Sequence, residues 1–163
     1  MSNKMIFGKN KRLLILIIVV IFISAISAYI IKKSETVEKY VLRNCENATE
    51  VLCCDVSDDY VVCFYLEDNA AISCVLLKNT QLGYKTIRTS GKLGLAFPGP
   101  LCSFFNEGDE SLWLDWGIIS DDSIKSVCSD YGMMKIIECK PYSYRIYWMI
   151  GSGEEPKNHT EIK

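Results

Sequence analysis

The chain has one histidine, no Cys-x-x-Cys pair and no glycine-rich loop ending in Gly-Lys-Ser/Thr. Each shortage removes a class of chemistry. The single His159 lies in the segment 151–163, which contains Pro156, shows no periodicity and reads as a mobile tail. A Ser-His-Asp triad or a Cys/His pair therefore has no base in the expected folded part. Without closely spaced cysteine pairs, a thioredoxin-like redox site and a zinc ribbon lose their usual signature. The glycines between 91 and 99 lack the phosphate-loop ending. Acids at Asp55, Asp58 and Asp59, at Glu107, Asp109 and Glu110, and at Asp121 and Asp122 lack the Asp-x-Asp-x-Asp-Gly spacing of an EF-hand loop and read as solvated turn residues. Nothing singles out two carboxylates for glycoside hydrolysis. No catalytic, cofactor-binding or metal-ligating residue is nominated, and the chain reads as non-enzymatic.

A second absence is more informative. Leu13 to Ile31 has no charge over nineteen residues, fourteen of them Leu, Ile, Val or Phe, between Lys11-Arg12 and Lys32-Lys33. As a helix this run extends roughly 28 Å, close to the hydrocarbon thickness of a bilayer. At about −0.3 to −0.6 kcal/mol per apolar residue, insertion gains roughly 4 to 8 kcal/mol with no buried charge to oppose it. The run reads as one membrane-spanning helix. Its rival is a cleaved signal peptide, for which Ser24, Ala25, Ser27 and Ala28 supply small residues. The apolar length, continuing to a Lys pair, favours retention. The first cysteine is Cys45, so a lipid-modified Cys at the end of a signal sequence is not available. Ser24 and Ala28 are also spaced as a small-xxx-small pair.

Residues 1–33 carry six Lys/Arg and no acid, whereas residues 34–163 carry twelve Lys/Arg against twenty Asp/Glu, a net charge of −8. The positive-inside tendency puts residues 1–12 in the cytoplasm as a basic tail and the rest outside. About 130 residues beyond the span suffice for one domain. Its acidity argues against nucleic acid as a partner.

All eight cysteines lie in that acidic part: Cys45, Cys53, Cys54, Cys63, Cys74, Cys102, Cys128 and Cys139. An even count in an exported domain permits disulfides, with buried thiols as the alternative. Within 34–46, Ser34 or Thr36 is a candidate cap and Val37, Tyr40 and Val41 share one helical face, so a short juxtamembrane helix is expected. Val51–Val56, Tyr60–Leu66 and Ala71–Lys78 then form a β-meander divided by acidic turns. A second turn centred on Asp68-Asn69 sets Cys63 opposite Cys74, and a first turn centred on Asp58-Asp59 also sets Cys54 opposite Cys63. The expected bridge is Cys63 to Cys74 in an oxidising compartment.

Gly83–Arg88 reads as a further strand. Ser90–Glu110 is the most irregular stretch, carrying Leu95, Phe97, Leu101, Phe104 and Phe105 among glycines and prolines. Such a loop packs back on the core or forms a binding surface. Leu112–Ile119 and Ile124–Cys128 are strands, and Met133–Cys139 with Tyr144–Ile150 is a hairpin. In its last strand Tyr144, Ile146, Trp148 and Ile150 share one face, with Arg145, Tyr147 and Met149 on the other. Asn47-Ala48-Thr49 and Asn158-His159-Thr160 match the glycosylation triplet.

The order of these pieces carries a resemblance. Asp58-Asp59-Tyr60-Val61-Val62-Cys63-Phe64-Tyr65, Val75-Leu76-Leu77-Lys78, Gly83-Tyr84-Lys85, Trp116-Gly117-Ile118-Ile119, Asp121-Asp122-Ser123-Ile124-Lys125-Ser126-Val127 and Tyr144-Arg145-Ile146-Tyr147-Trp148 resemble uncharacterised small single-span membrane-anchored proteins of Gram-positive bacteria (Firmicutes) with a β-rich exported domain. The eight cysteines depart from that pattern. The resemblance implies topology rather than activity.

The expected protein is mainly β: one transmembrane helix at 13–31, then an exported domain at 34–150 of antiparallel meander or sandwich type. Its expected role is an extracytoplasmic interaction or sensing module that binds an envelope protein or small ligand through the Ser90–Glu110 loop, with no cofactor. The alternatives are a thiol-active protein, which needs an accessible low-pKa cysteine, and a hydrolase built on carboxylates alone.

Overall fold

A computed structural model describes residues 3–33, 35–94, 99–107, 110–119, 121–139, 142 and 144–163. It divides into two compact units, one of residues 1–35 with 81–83, the other of 36–80 with 84–163.

In the first unit, helix α1 runs from Asn3 to Lys33. Its stretch Leu13–Ile30 has a mean hydropathy of 3.0, and none of its residues is buried. It is long and apolar enough to cross a membrane. Ser24 Oγ donates to the carbonyl of Val20 at 2.8 Å, so this hydroxyl is satisfied within the helix itself.

The second unit begins with α2 (Val37–Asn44), which opens as its sequence requires. Thr36 has an extended backbone, and its side-chain oxygen accepts from Lys39 N at 3.3 Å. Among the described residues eleven strands follow: β1 (Ala48–Ser57), β2 (Tyr60–Glu67), β3 (Ala71–Thr80), β4 (Gly83–Gly94), β5 (Leu101–Glu107), β6 (Glu110–Ile119), β7 (Ser126–Ser129), β8 (Gly132–Met133), β9 (Lys135–Cys139), β10 (Tyr144–Ser152) and β11 (His159–Ile162). They form three sheets, ordered β1-β2-β3-β4, β5-β6-β10-β9 and β11-β7-β8.

Period-two alternation assigns each strand face to a layer. Val62, Phe64, Ile72, Cys74 and Leu76 of the first sheet meet Leu114, Trp116, Ile146 and Trp148 of the second in the main core, with Phe64 and Trp116 rings 5.3 Å apart. The opposite face of the first sheet, with Val61, Cys63, Tyr65, Val75 and Leu77, packs under Val41 of α2. The third sheet and the residues flanking it cover the outer face of the second, setting Ile124, Val127 and Met134 against Ile119 and Tyr147. The molecule is thus mainly β and antiparallel, as expected. The third layer exceeds the two-sheet expectation.

The first hairpin has the expected register, with Ser57 facing Tyr60 and Cys54 facing Cys63. The second is displaced by one residue. Asp68 and Asn69 both have positive φ, but Ala70 also belongs to the loop, its N–H donating to the Glu67 carbonyl at 3.1 Å. Glu67 therefore faces Ala71, Cys63 faces Val75, and Cys74 faces Phe64. A one-residue slip exchanges the two faces of a strand, so Cys63 and Cys74 lie on opposite sides of the sheet. The expected Cys63 to Cys74 bridge is corrected: Cys63 pairs with Cys54, Cys53 pairs with Cys139, and Cys74 is a buried free thiol. The adjacent Cys53 and Cys54 thus serve opposite faces of β1, one bonding the second sheet and the other its neighbour strand.

Two further expectations change. The stretch from Ser90 is ordered strand through Gly94 and again from Leu101 to Glu107. Ser90 is 4% exposed and acts as a buried junction: its Oγ accepts from Trp116 Nε1 at 2.9 Å and lies 2.8 Å from Ser103 Oγ. The expected mobile tail at 151–163 is also corrected. Gly151 and Ser152 complete β10, and His159–Ile162 pairs with β7. Asp130 accepts from the backbone N–H groups of Lys157 and Asn158 and from Asn158 Nδ2, and Pro156 is buried.

Two predictions follow from these closures. A Cβ at Gly151 would overlap the indole of Trp113, which lies across it; Gly151→Ala is expected to cost about 2–3 kcal/mol in urea unfolding. The Cys53–Cys139 bridge spans 86 residues and Cys54–Cys63 spans 9, so loop closure assigns about 4–5 kcal/mol to the first and about 3 to the second. Removing Cys53 and Cys139 together should therefore lower the unfolding midpoint more than removing Cys54 and Cys63.

Candidate functional site

Of the residues proposed for a binding loop, the three described ones do not share one exposed surface. Leu95 and Phe97 lie outside the described residues. Leu101 and Phe105 turn inward to the main core, and Phe104, between strand neighbours that alternate, is 44% exposed. Most of the loop's described apolar side chains are therefore packing residues.

Behind Phe105 the end of the sandwich is open. A cavity of about 280 Å³ is lined by Ser57, Asp58, Tyr60, Leu112, Ile150 and the Gly151–Ser152 backbone region. Strand order explains it: the β1–β2 turn supplies Ser57 and Asp58, while β6 and β10 end side by side at Leu112 and Ser152. Tyr60 sets one wall, its ring edge-on to Phe105 at 6.3 Å and with Lys78 Nζ 5.8 Å from its centroid. A lining that combines hydroxyl residues and one carboxylate with two aliphatic side chains suits a small ligand with an apolar body and a polar head. A second hollow, about 340 Å³, lies between the start of α2 (Thr36, Val37, Glu38) and Val51–Cys54 of β1.

The second cluster is buried and was hidden by the assignment of His159 to a tail. Asp115, at the centre of β6, is fully buried, and its Oδ2 lies 2.6 Å from His159 Nε2 on β11. His159 thus belongs to the folded domain. Burial raises the Asp115 carboxyl above its ordinary 3.8, and the bond and charge of His159 act in the other direction. Among the described residues its Oδ1 finds no hydrogen-bond partner, nor does the nearby-in-sequence Trp113 Nε1. Cys102 faces Asp115 across the β5–β6 pairing, and the Tyr147 ring is 6.0 Å from that of His159. The signal for this pair was present in the sequence as one acid inside the apolar run Leu112–Ile119. A buried carboxylate requires a partner.

Three of the free thiols, Cys45, Cys74 and Cys102, are pushed toward their protonated form. Burial raises Cys45, partly offset by a hydrogen bond from Tyr65; burial and Cys45 raise Cys74 strongly; burial and the Asp115 carboxylate push Cys102 to about 11. Nucleophilic thiol chemistry needs the opposite shift. Among the described residues no three His, Cys, Asp or Glu side chains converge on one point.

Removing one member of the buried pair leaves the other uncompensated. His159→Ala is expected to cost about 3 kcal/mol in chemical unfolding at neutral pH, and adding Asp115→Asn should recover part of the loss. Because the folded carboxyl titrates above 3.8, its contribution to stability is complete below that pH and is lost as pH rises through the folded value. Asp115→Asn should flatten this decline in a pH series of unfolding midpoints.

No protein-family model, curated protein or solved structure matches this chain.

Proposed function

We propose that the protein is a membrane-anchored, extracytoplasmic binding module, non-enzymatic, with a cytoplasmic N-terminus and a small envelope ligand held at the sandwich end lined by Asp58, Tyr60 and Leu112. The observation that carries this reading is the combination of an apolar helix with two cystine pairs in the domain that follows it. Disulfides persist in oxidising compartments, which favours the far side of the membrane. The charge step from the basic start to the −8 segment at 34–163 supports the same orientation, and the resemblance to Gram-positive anchored proteins suggests a bacterial envelope. The upward-shifted Cys45, Cys74 and Cys102 thiols weigh against a thiol-active role for those three residues.

The test has two parts. In cells, the full chain should resist alkaline carbonate extraction, and external protease on spheroplasts should remove a C-terminal tag while sparing an N-terminal one. Release into the soluble fraction or the reverse protection pattern would overturn the anchored topology. For binding, a thermal-shift screen of small envelope constituents on the full chain in micelles should yield a ligand whose stabilisation approaches about 2.7 kcal/mol at a hundredfold excess over Kd. Tyr60→Ala should abolish that shift, and a shift unchanged by Tyr60→Ala would remove the cavity from the proposal.

A further inference from the structure

The three turns of the first sheet differ in character. Two contain aspartate, Asp58-Asp59 and Asp68-Asn69-Ala70. The third, between β3 and β4, places Gln81 and Leu82 at its tip ahead of Gly83 at a φ of 103°, and Leu82 is 58% exposed. A lone exposed leucine is ordinary on a protein surface. This one is set apart by where the chain puts it: residues 81–83 belong to the same compact unit as α1 rather than to that of the strands they join.

Chain connectivity leads to the same place. Helix α1 ends at Lys33 and α2 begins at Val37, so at most about 14 Å of backbone separates them. One helical turn on, Tyr40 packs against β4, its ring 5.9 Å from that of Tyr84 and its Oη accepting from Thr86 N at 3.2 Å. Leu82 is two positions before Tyr84, about 7 Å along the strand. The interfacial zone of a bilayer extends about 6 Å beyond its hydrocarbon on each side, and Lys32-Lys33 mark where the apolar run of α1 stops. The turn is therefore within reach of the leaflet in which α1 ends.

Charge points the same way. From Asn69 to Asn106 the sequence has four Lys/Arg and no Asp or Glu, within a segment 34–163 that carries twenty acids. Lys92 is held by Glu67 and Asp68, and Lys78 lies by the Tyr60 ring. Lys85 and Arg88 are exposed and make no ion pair among the described residues. The turn Asp58-Asp59 shares this end of the sheet, Asn79 N donating to the Asp59 carbonyl at 3.0 Å. It joins β1 to β2, however, two strand spacings or about 10 Å from the β3–β4 turn. The sheet end is thus acidic toward β1 and basic toward β4. We propose that the β3–β4 turn is a second point of membrane contact, an inference that rests on the anchored reading of α1. Leu82 enters the interfacial zone, and Lys85 and Arg88 meet anionic lipid phosphates beside it. A single span leaves a domain free to swing about its tether, and this contact fixes which face it turns away from the membrane.

The full chain is reconstituted in nanodiscs of phosphatidylcholine, alone or mixed equally with phosphatidylglycerol, with bromine on the acyl chains as a fluorescence quencher. Trp113, Trp116 and Trp148 are at most 1% exposed, and the parent chain measures their background. Leu82→Trp adds one reporter at the tip, whose emission should be blue-shifted and quenched by the brominated lipid. Met133→Trp, at a position 61% exposed on the third sheet and two layers away, should not be quenched. Adding Lys85→Gln and Arg88→Gln to Leu82→Trp should lower the ratio of docked to undocked chain about fivefold per charge, and only where phosphatidylglycerol is present. Co-elution of chain and disc checks the anchor separately. Its loss overturns the membrane reading as a whole, whereas a disc-bound chain whose Leu82→Trp reporter stays unquenched overturns the turn contact alone. Equal quenching of Met133→Trp also overturns that contact, and quenching indifferent to the two charge changes overturns the part assigned to Lys85 and Arg88.

Discussion

Strand β6 is covered on both faces, and much of the second unit answers to that constraint. Trp113, Leu114, Asp115 and Trp116 are each at most 1% exposed although they point alternately to opposite sides. Any polar atom among them must find a partner in protein, since water does not reach it. Trp116 Nε1 finds Ser90, which ties the edge strand β4 of the first sheet to β5 and β6 of the second. Asp115 finds His159, which fixes the last strand over the outer face. Size is constrained in the same way: Gly117 and Gly151 lie beneath the rings of Tyr147 and Trp113, where a methyl group would collide. Trp113 Nε1 and Asp115 Oδ1, which find no partner among the described residues, are the exceptions to that rule.

The parts of the fold legible in the sequence are those set by neighbours within a few residues. The apolar run of α1, the Thr36 cap, the turn at Asp58-Asp59 and the two faces of Tyr144–Ile150 each depend on local spacing, and each is present. The second hairpin shows how narrow that legibility is. Asp68 and Asn69 turn the chain as read, but Ala70, which has no turn signature, joins the loop and moves every later partner by one. The sulfur framework changed with it.

The stretches misread as loop and tail share a different cause. Ser90, Gly94 and Pro156 look like breakers when only their neighbours are considered, yet Ser90 serves an indole 26 residues away and Pro156 sits in a segment anchored by Asp130. Their structure is decided by groups distant in the chain, for which composition offers no direct signal. The site followed the same rule: the apolar loop residues could be named but not aimed, and the Asp115–His159 pair spans 44 positions. An acid amid Leu, Trp and Ile was the one visible sign that a long-range partner was needed.

That separation has a meaning in time as well as in space. A chain made at about 5–20 residues per second delivers His159 roughly 2–9 s after Asp115, so for that interval the central carboxylate has no imidazole to meet and β7 has no neighbour on its outer edge. Until then the acid is best left in water, and the third sheet is the layer that must wait. The two sheets beneath it are assembled from strands that all precede residue 153, so the last-made strand belongs to the outermost layer.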